Sequence, residues 1–153
     1  MKKLKSGFTL IELLVVIGIL AILLAITLIA INPARQFQQS NDTKRASDVN
    51  AILNAVNQYM ADNQGSLPAG ITDTAENIAA TTFENFCTAL VPLYIAALPR
   101  DPLTQNGTPI QAIDCTGTTW DTGYTIQQVG GSGNRLTVAA PGAEIQDTIE
   151  VTR

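Results

Sequence analysis

Phe8-Thr9-Leu10-Ile11-Glu12-Leu13-Leu14-Val15-Val16-Ile17-Gly18-Ile19-Leu20-Ala21-Ile22-Leu23-Leu24-Ala25-Ile26-Thr27-Leu28-Ile29-Ala30-Ile31 is a run of twenty-four residues with one charge, Glu12. As a helix at about 1.5 Å per residue it would reach roughly 36 Å, more than the roughly 30 Å hydrocarbon core of a bilayer. A membrane-spanning helix is therefore predicted over residues 8–31. A secretory signal peptide has an apolar core of about 7 to 15 residues followed by a small-residue cleavage site, and this run is too long for that. Lys2, Lys3 and Lys5 flank it on the N-terminal side. The positive-inside rule then predicts a cytoplasmic N-terminus and an exported C-terminal part.

Glu12 stands against this pattern. An ionisable group in hydrocarbon costs on the order of 2.5 to 3.5 kcal/mol at mid-membrane, and less near an interface. No Lys or Arg lies between Lys5 and Arg35, so no basic side chain within the span can pair with Glu12 and a partner has to come from elsewhere. Otherwise the carboxyl snorkels to the headgroups or stays protonated.

Lys5-Ser6-Gly7-Phe8-Thr9-Leu10-Ile11-Glu12-Leu13 resembles the leader and processing site of type IV prepilins and type II secretion pseudopilins. The matching features are a short basic leader, Gly before the cut, an aromatic after it, and Glu four residues further on. The resemblance implies that residues 1–7 form a leader removed by a membrane-embedded prepilin peptidase on the cytoplasmic face. Gly7 would lie on the leader side of the cut, and Phe8 would become a new N-terminus whose amine is methylated. It also implies partners: other copies of the chain and other pilin-like subunits, an assembly platform protein and an assembly ATPase. The location implied is the bacterial inner membrane before assembly, then a cell-surface or periplasmic filament. In that setting a neighbour's Phe8 amine becomes a candidate counterion for Glu12. Such a pair would fix subunit register, because a wrong offset leaves a charge unpaired in hydrocarbon.

Gly18, Ala21, Ala25 and Ala30 are small enough to let membrane helices approach. Asn32-Pro33 predicts a kink or brief break, since Pro removes a helical hydrogen bond and crowds the preceding turn. Over residues 32–63 an amphipathic continuation is expected. Ala46, Val49, Ile52, Leu53, Val56, Tyr59 and Met60 recur at spacings of three and four, while Lys44, Asp48, Asn54, Asn57 and Asp62 face elsewhere. Asn63-Gln64-Gly65 and Pro68 supply the stop.

Residues 64–153 are read as an exported globular pilin-like domain. Thr81 with Glu84 makes a capping-box pattern, and Phe83, Phe86, Cys87, Leu90, Leu93 and Tyr94 continue at helical spacing, divided by Pro92. Leu98-Pro99-Arg100-Asp101-Pro102 resembles the Leu-Pro-x-Asp-Pro segment of pseudopilins and related short pilins. It continues with Leu103-Thr104, where the major secretion pseudopilin usually has Trp-Gly. Pro109 to Asp114, Gly123 to Val129 and Asn134 to Ala140 read as strands, with Gly130-Gly131-Ser132-Gly133 turning between the last two. Asp147 to Val151 is either an edge strand or a frayed tail. The fold class expected is α+β: a long N-terminal helix, half transmembrane and half amphipathic, packed against a small antiparallel sheet.

Cys87 and Cys115 are the chain's two cysteines, and an oxidising, exported location favours their single intramolecular pairing. There is no His, which removes the commonest metal ligand and general base. No cofactor is expected. Asp101, Asp114 and Asp121 are weak calcium candidates, as acidic loops serve in certain pseudopilins, and solvated turn carboxylates is the favoured reading. Loss of the leader would leave six basic and thirteen acidic side chains, a formal charge of −7. Such a surface disfavours nonspecific nucleic-acid binding, and no specific nucleic-acid partner is predicted. No nucleophile elbow, phosphate loop or paired-carboxylate motif is visible. A structural filament subunit, not an enzyme, is expected, whether of a type IV pilus, a secretion pseudopilus or a DNA-uptake pilus. The remote alternative is a membrane-tethered enzyme or binding module.

Overall fold

The computed structural model describes residues 7–83, 85–130 and 135–153. They fall into two compact units, divided between Phe37 and Gln38. The basic leader residues Lys2, Lys3 and Lys5, together with Glu84 and Gly131 to Asn134, lie outside the described residues.

In the N-terminal unit, α1 runs from Leu10 to Ile31 and none of its residues is buried. It is long and apolar enough to cross a membrane. Asn32 ends it in a left-handed conformation (φ 42°), and α2 starts at Pro33. Proline suits a first helical position because its missing N–H would be an orphan there anyway. The break expected at Asn32-Pro33 is thus one residue long, and the Asn32 carboxamide oxygen accepts the Arg35 N–H at 3.4 Å.

The second unit contains most of α2, which spans Pro33–Asp62. Val49, Ile52, Leu53 and Val56 are fully buried, and Ala46, Tyr59 and Met60 pack beside them, so the stripe read from the sequence is the helical side of the core. Gln64 and Gly65 then take positive φ, and the Gly65 N–H returns to the Met60 carbonyl at 2.8 Å. Against this face lies a four-stranded antiparallel sheet in the order β1-β2-β3-β4. Its strands are β1 (Glu76–Ala79), β2 (Asp121–Val129), β3 (Arg135–Ala140) and β4 (Ile149–Thr152). Thr122, Tyr124 and Ile126 of β2, with Leu136, Val138 and Ala140 of β3, point into the core, the period-two alternation of a sheet with one face covered. The architecture is α+β and pilin-like.

Three local expectations change. Pro109 to Asp114 is not a strand: only Ile110 pairs, in an isolated bridge to Leu98. The Asp114 carboxylate accepts the Gln111 N–H at 2.9 Å and the Asp114 N–H donates to the Gln111 carbonyl, so local turn bonds use the groups a ladder would need. Thr81 does not cap a helix. The Thr82 and Phe83 N–H groups both turn back to the Ala79 carbonyl, and α3 covers only Phe86–Leu90 behind Asn85. Val91 is extended (φ −98°, ψ 133°), as a residue before proline tends to be, and Leu93 and Tyr94 sit in a turn, not in a second helical piece. Lastly, β1 forms where the sequence pattern predicts no strand. Its Glu-Asn-Ile-Ala sequence has little strand character, and its pairing with β2 imposes the conformation.

The Cys87–Cys115 disulfide is formed and joins α3 to the turn at Asp114–Thr116. Both cysteines are in the core. Closing a loop of 28 residues stabilises by about 3 to 4 kcal/mol in the chain-entropy account.

Candidate functional site

At the N-terminal end, Gly7 and Phe8 are exposed and precede the helix. A Cβ built on Gly7 would meet nothing within 4 Å, so this chain's own packing gives no reason for glycine there. Thr9 is the N-cap of α1 in an extended conformation, and Glu12 completes a capping box with it. The Thr9 N–H and hydroxyl donate to Glu12 Oε2 at 2.8 and 2.6 Å, and the Glu12 N–H returns to Thr9 Oγ1 at 3.3 Å. Glu12 thus finds hydrogen-bond donors one turn away in its own chain, which sequence reasoning overlooked although Thr-x-x-Glu is a capping signature. Both donors are neutral, so they solvate the carboxylate without balancing its charge.

The second unit holds a charge cluster that the sequence did not announce. Arg45 is fully buried on α2. Its Nε and Nη2 grip Asp101 at 2.7 and 3.2 Å, while Nη1 donates to Asp42 at 2.9 Å and to Glu144 at 3.1 Å. Asp42 in turn accepts the backbone N–H groups of Glu144, Ile145 and Gln146. Asp101 also accepts the Leu103 N–H at 2.9 Å. One guanidinium therefore ties together α2, the Pro99 to Pro102 segment and the connection between β3 and β4. Gly123 and Gly142 close over the pair: an added Cβ would come within 2.9 Å of Asp101 Cβ and 3.1 Å of Asp101 Oδ2, respectively. The Asp101 hydrogen bond holds the Arg45 pKa above its ordinary value against the opposing effect of burial. Burial pushes Asp42 up, but the three backbone N–H groups and Arg45 outweigh it and leave its pKa below the usual value. Beside the cluster, the Tyr124 hydroxyl donates to Asp48 at 2.8 Å, and Asp48 also pairs with Lys44 at 2.7 Å. Burial first, then the Asp48 contact, raises the Tyr124 pKa.

The three carboxylates weighed for calcium are separately engaged. Asp101 belongs to Arg45, Asp114 caps a turn, and Asp121 accepts from Asn77 at 3.0 Å and from the Gly123 N–H at 2.8 Å. Among the described residues no three His, Cys, Asp or Glu side chains are grouped so that they could hold a metal ion. The signal that could have found Arg45 is spacing. Asp42 and Arg45 continue the series Val49, Ile52, Val56 at the same three-and-four intervals, so they lie on the buried face.

An apolar helix long enough to cross a membrane, with one carboxylate near its start, then an amphipathic helix and a small antiparallel sheet, makes a pilin-like architecture consistent with a membrane anchor. Residues 2–28 match the family described as the prokaryotic N-terminal methylation motif. That motif is the prepilin-type signal of type IV pilins and pseudopilins. It implies processing by a prepilin peptidase, assembly with other pilin-like subunits, and inner-membrane anchoring. No curated protein matches the chain, and no solved structure does.

Proposed function

We propose that this chain is a structural subunit of a type IV pilus or a related filament, and not an enzyme. Prepilin peptidase cuts between Gly7 and Phe8, the Phe8 amine is methylated, and the subunit is then drawn from the inner membrane by a platform protein and an assembly ATPase. The globular domain faces away from the cytoplasm throughout. The observation that carries this is the methylation motif over residues 2–28 lying on a helix with no buried residue. Such a surface calls for lipid first and neighbouring helices afterwards. The free space around Gly7 supports a requirement imposed by the peptidase rather than by folding.

In the filament, Glu12 pairs with the Phe8 amine of a neighbour. Its own-chain donors are neutral, so a cationic amine adds what the capping box lacks and fixes register. In cells carrying the assembly machinery, Glu12→Ala should be cleaved and inserted as the parent is, yet form almost no filament by immunoblot of sheared surface material. Normal processing with undiminished filament would overturn the pairing. Leu98-Pro99-Arg100-Asp101-Pro102, a segment like that of pseudopilins and related short pilins, keeps a secretion pseudopilus as the second reading, with Leu103-Thr104 departing from the Trp-Gly usual in its major subunit. Filament length under negative stain separates that from a long pilus.

A further inference from the structure

Arg100 and Asp101 are adjacent, buried and oppositely charged, yet they do not serve each other. Asp101 turns to Arg45. Arg100, only 7 % exposed, turns the other way: its Nε donates to the Asp121 carbonyl at 2.9 Å and its Nη1 to Gln105 Oε1 at 2.6 Å. Both acceptors are neutral, and among the described residues no carboxylate lies within ion-pair distance of Arg100. Arginine stays protonated in proteins, and a buried charge without a counterion is costly. Nη2, with two N–H donors, receives no acceptor from the described residues.

Arg100 also lines an open cleft of about 480 Å³ with Gln105, Thr108, Asp114, Thr119 and Trp120, within the range of roughly 300 to 1,000 Å³ typical of small-molecule sites. The Trp120 Nε1–H is buried and finds no acceptor among the described protein atoms. The lining therefore offers a cationic planar fork at one place. Elsewhere it offers an acidic acceptor and neutral groups that both donate and accept. Asp114 uses Oδ2 for its turn and presents its charge to the same cleft.

We infer that this cleft binds a sugar acid, with its carboxylate on Arg100 and its hydroxyls on Asp114, Gln105 and the threonines. A guanidinium matches a planar carboxylate. The Asp114 carboxylate in the same lining accepts hydroxyl donors and repels a second negative charge, which disfavours phosphate and dicarboxylates. The site does not depend on whether the chain polymerises.

Trp120 is the chain's one tryptophan, so intrinsic fluorescence of the full chain in neutral detergent reports on this cleft. At constant ionic strength, titration with sodium glucuronate should give a saturable change. Glucose, lacking the carboxylate, and acetate, lacking the hydroxyls, should each require at least about tenfold higher concentration, the loss expected for one charged contact or several neutral ones. Inorganic phosphate should give no saturable change. Arg100→Lys keeps the charge but not the fork and should weaken glucuronate about tenfold. Should that buried change disturb folding, Asp114→Asn on the exposed turn serves instead: it should weaken glucuronate severalfold while leaving the acetate titration where it was. An absent glucuronate response, an equal response to acetate or glucose, a saturable phosphate response, or an Asp114→Asn protein with unaltered glucuronate affinity would each overturn the proposal.

Discussion

Glu12 and Arg45 are charges that this chain sets on largely apolar helical faces, and it treats them in opposite ways. Glu12 receives neutral donors from Thr9 and no cation among the described residues. Arg45 receives three carboxylates, two of them almost wholly buried. A charge over-compensated inside its own chain is spent on holding that chain together. One left with neutral solvation keeps its capacity for a partner outside. The first is a fastener, and the second is read here as an assembly contact.

The largest effect expected is the loss of filament in Glu12→Ala, which should leave the denaturant midpoint of the second unit where it was. Arg45→Leu should do the reverse. Removing one partner of a buried pair typically destabilises by about 3 to 5 kcal/mol, because the other charge stays buried and uncompensated. Here Asp42 and Asp101 would face each other's field with only backbone donors. Urea unfolding of the full chain in detergent, followed by near-ultraviolet circular dichroism, should show the shift. Adding Asp101→Asn to Arg45→Leu should recover part of it. If Arg45→Leu unfolds no more easily than the parent, Arg45 is no fastener and the contrast with Glu12 fails.

Much of this was legible because it rests on local pattern. The span, the break at Asn32-Pro33, the stripe from Ala46 to Met60 and the β2–β3 pair follow from residue periodicity and proline chemistry. What escaped depends on partners distant in sequence. β1 is a strand because β2 lies beside it. Pro109 to Asp114 has strand-like composition but spends its backbone bonds on a turn near the disulfide. The helical spacing from Phe83 to Tyr94 is half coincidence, since Phe83 reaches the core from a turn. The methylation motif over residues 2–28, within which Gly7, Phe8 and Glu12 are proposed to act, was legible because such a signal is linear. Asp101 was noticed as a carboxylate and weighed for calcium, whereas its engagement with Arg45, fifty-six positions away, needs the fold. An eye kept only on apolar residues stops the α2 stripe at Ala46 and misses the polar turn that extends it.

The acid limb of stability sharpens the same contrast. With no His in the chain, the carboxylates dominate the response to acid. Asp42 has a folded pKa below its ordinary value of 3.8. Its contribution is therefore fully present above that value and is lost as pH falls through the lower, folded pKa. Asp42→Asn should lower the urea midpoint near neutrality by less than Arg45→Leu does. The gap to the parent should narrow only below the ordinary carboxylate range, as the parent's own Asp42 takes up its proton. A gap that stays constant down to the acid transition would mean that Asp42 acts through shape and not through its charge.

The smallest effect expected is at Tyr124, where the hydroxyl bridges the sheet to α2 by its 2.8 Å bond to Asp48. Tyr124→Phe keeps the ring in the core and removes one charge-assisted hydrogen bond, worth about 1.5 kcal/mol. Asp48 is not left alone, because Lys44 still holds it at 2.7 Å, so the change belongs at the lower end of such losses. In Lys44→Met the carboxylate would depend on Tyr124 alone. If the two groups share Asp48 as drawn, Tyr124→Phe should cost more in the Lys44→Met background than in the parent, so that the double mutant loses more than the sum of the two single losses. Equal costs in both backgrounds would place the phenol and the ammonium on independent footings. The ring of Tyr124 would then matter to the core only as an apolar surface.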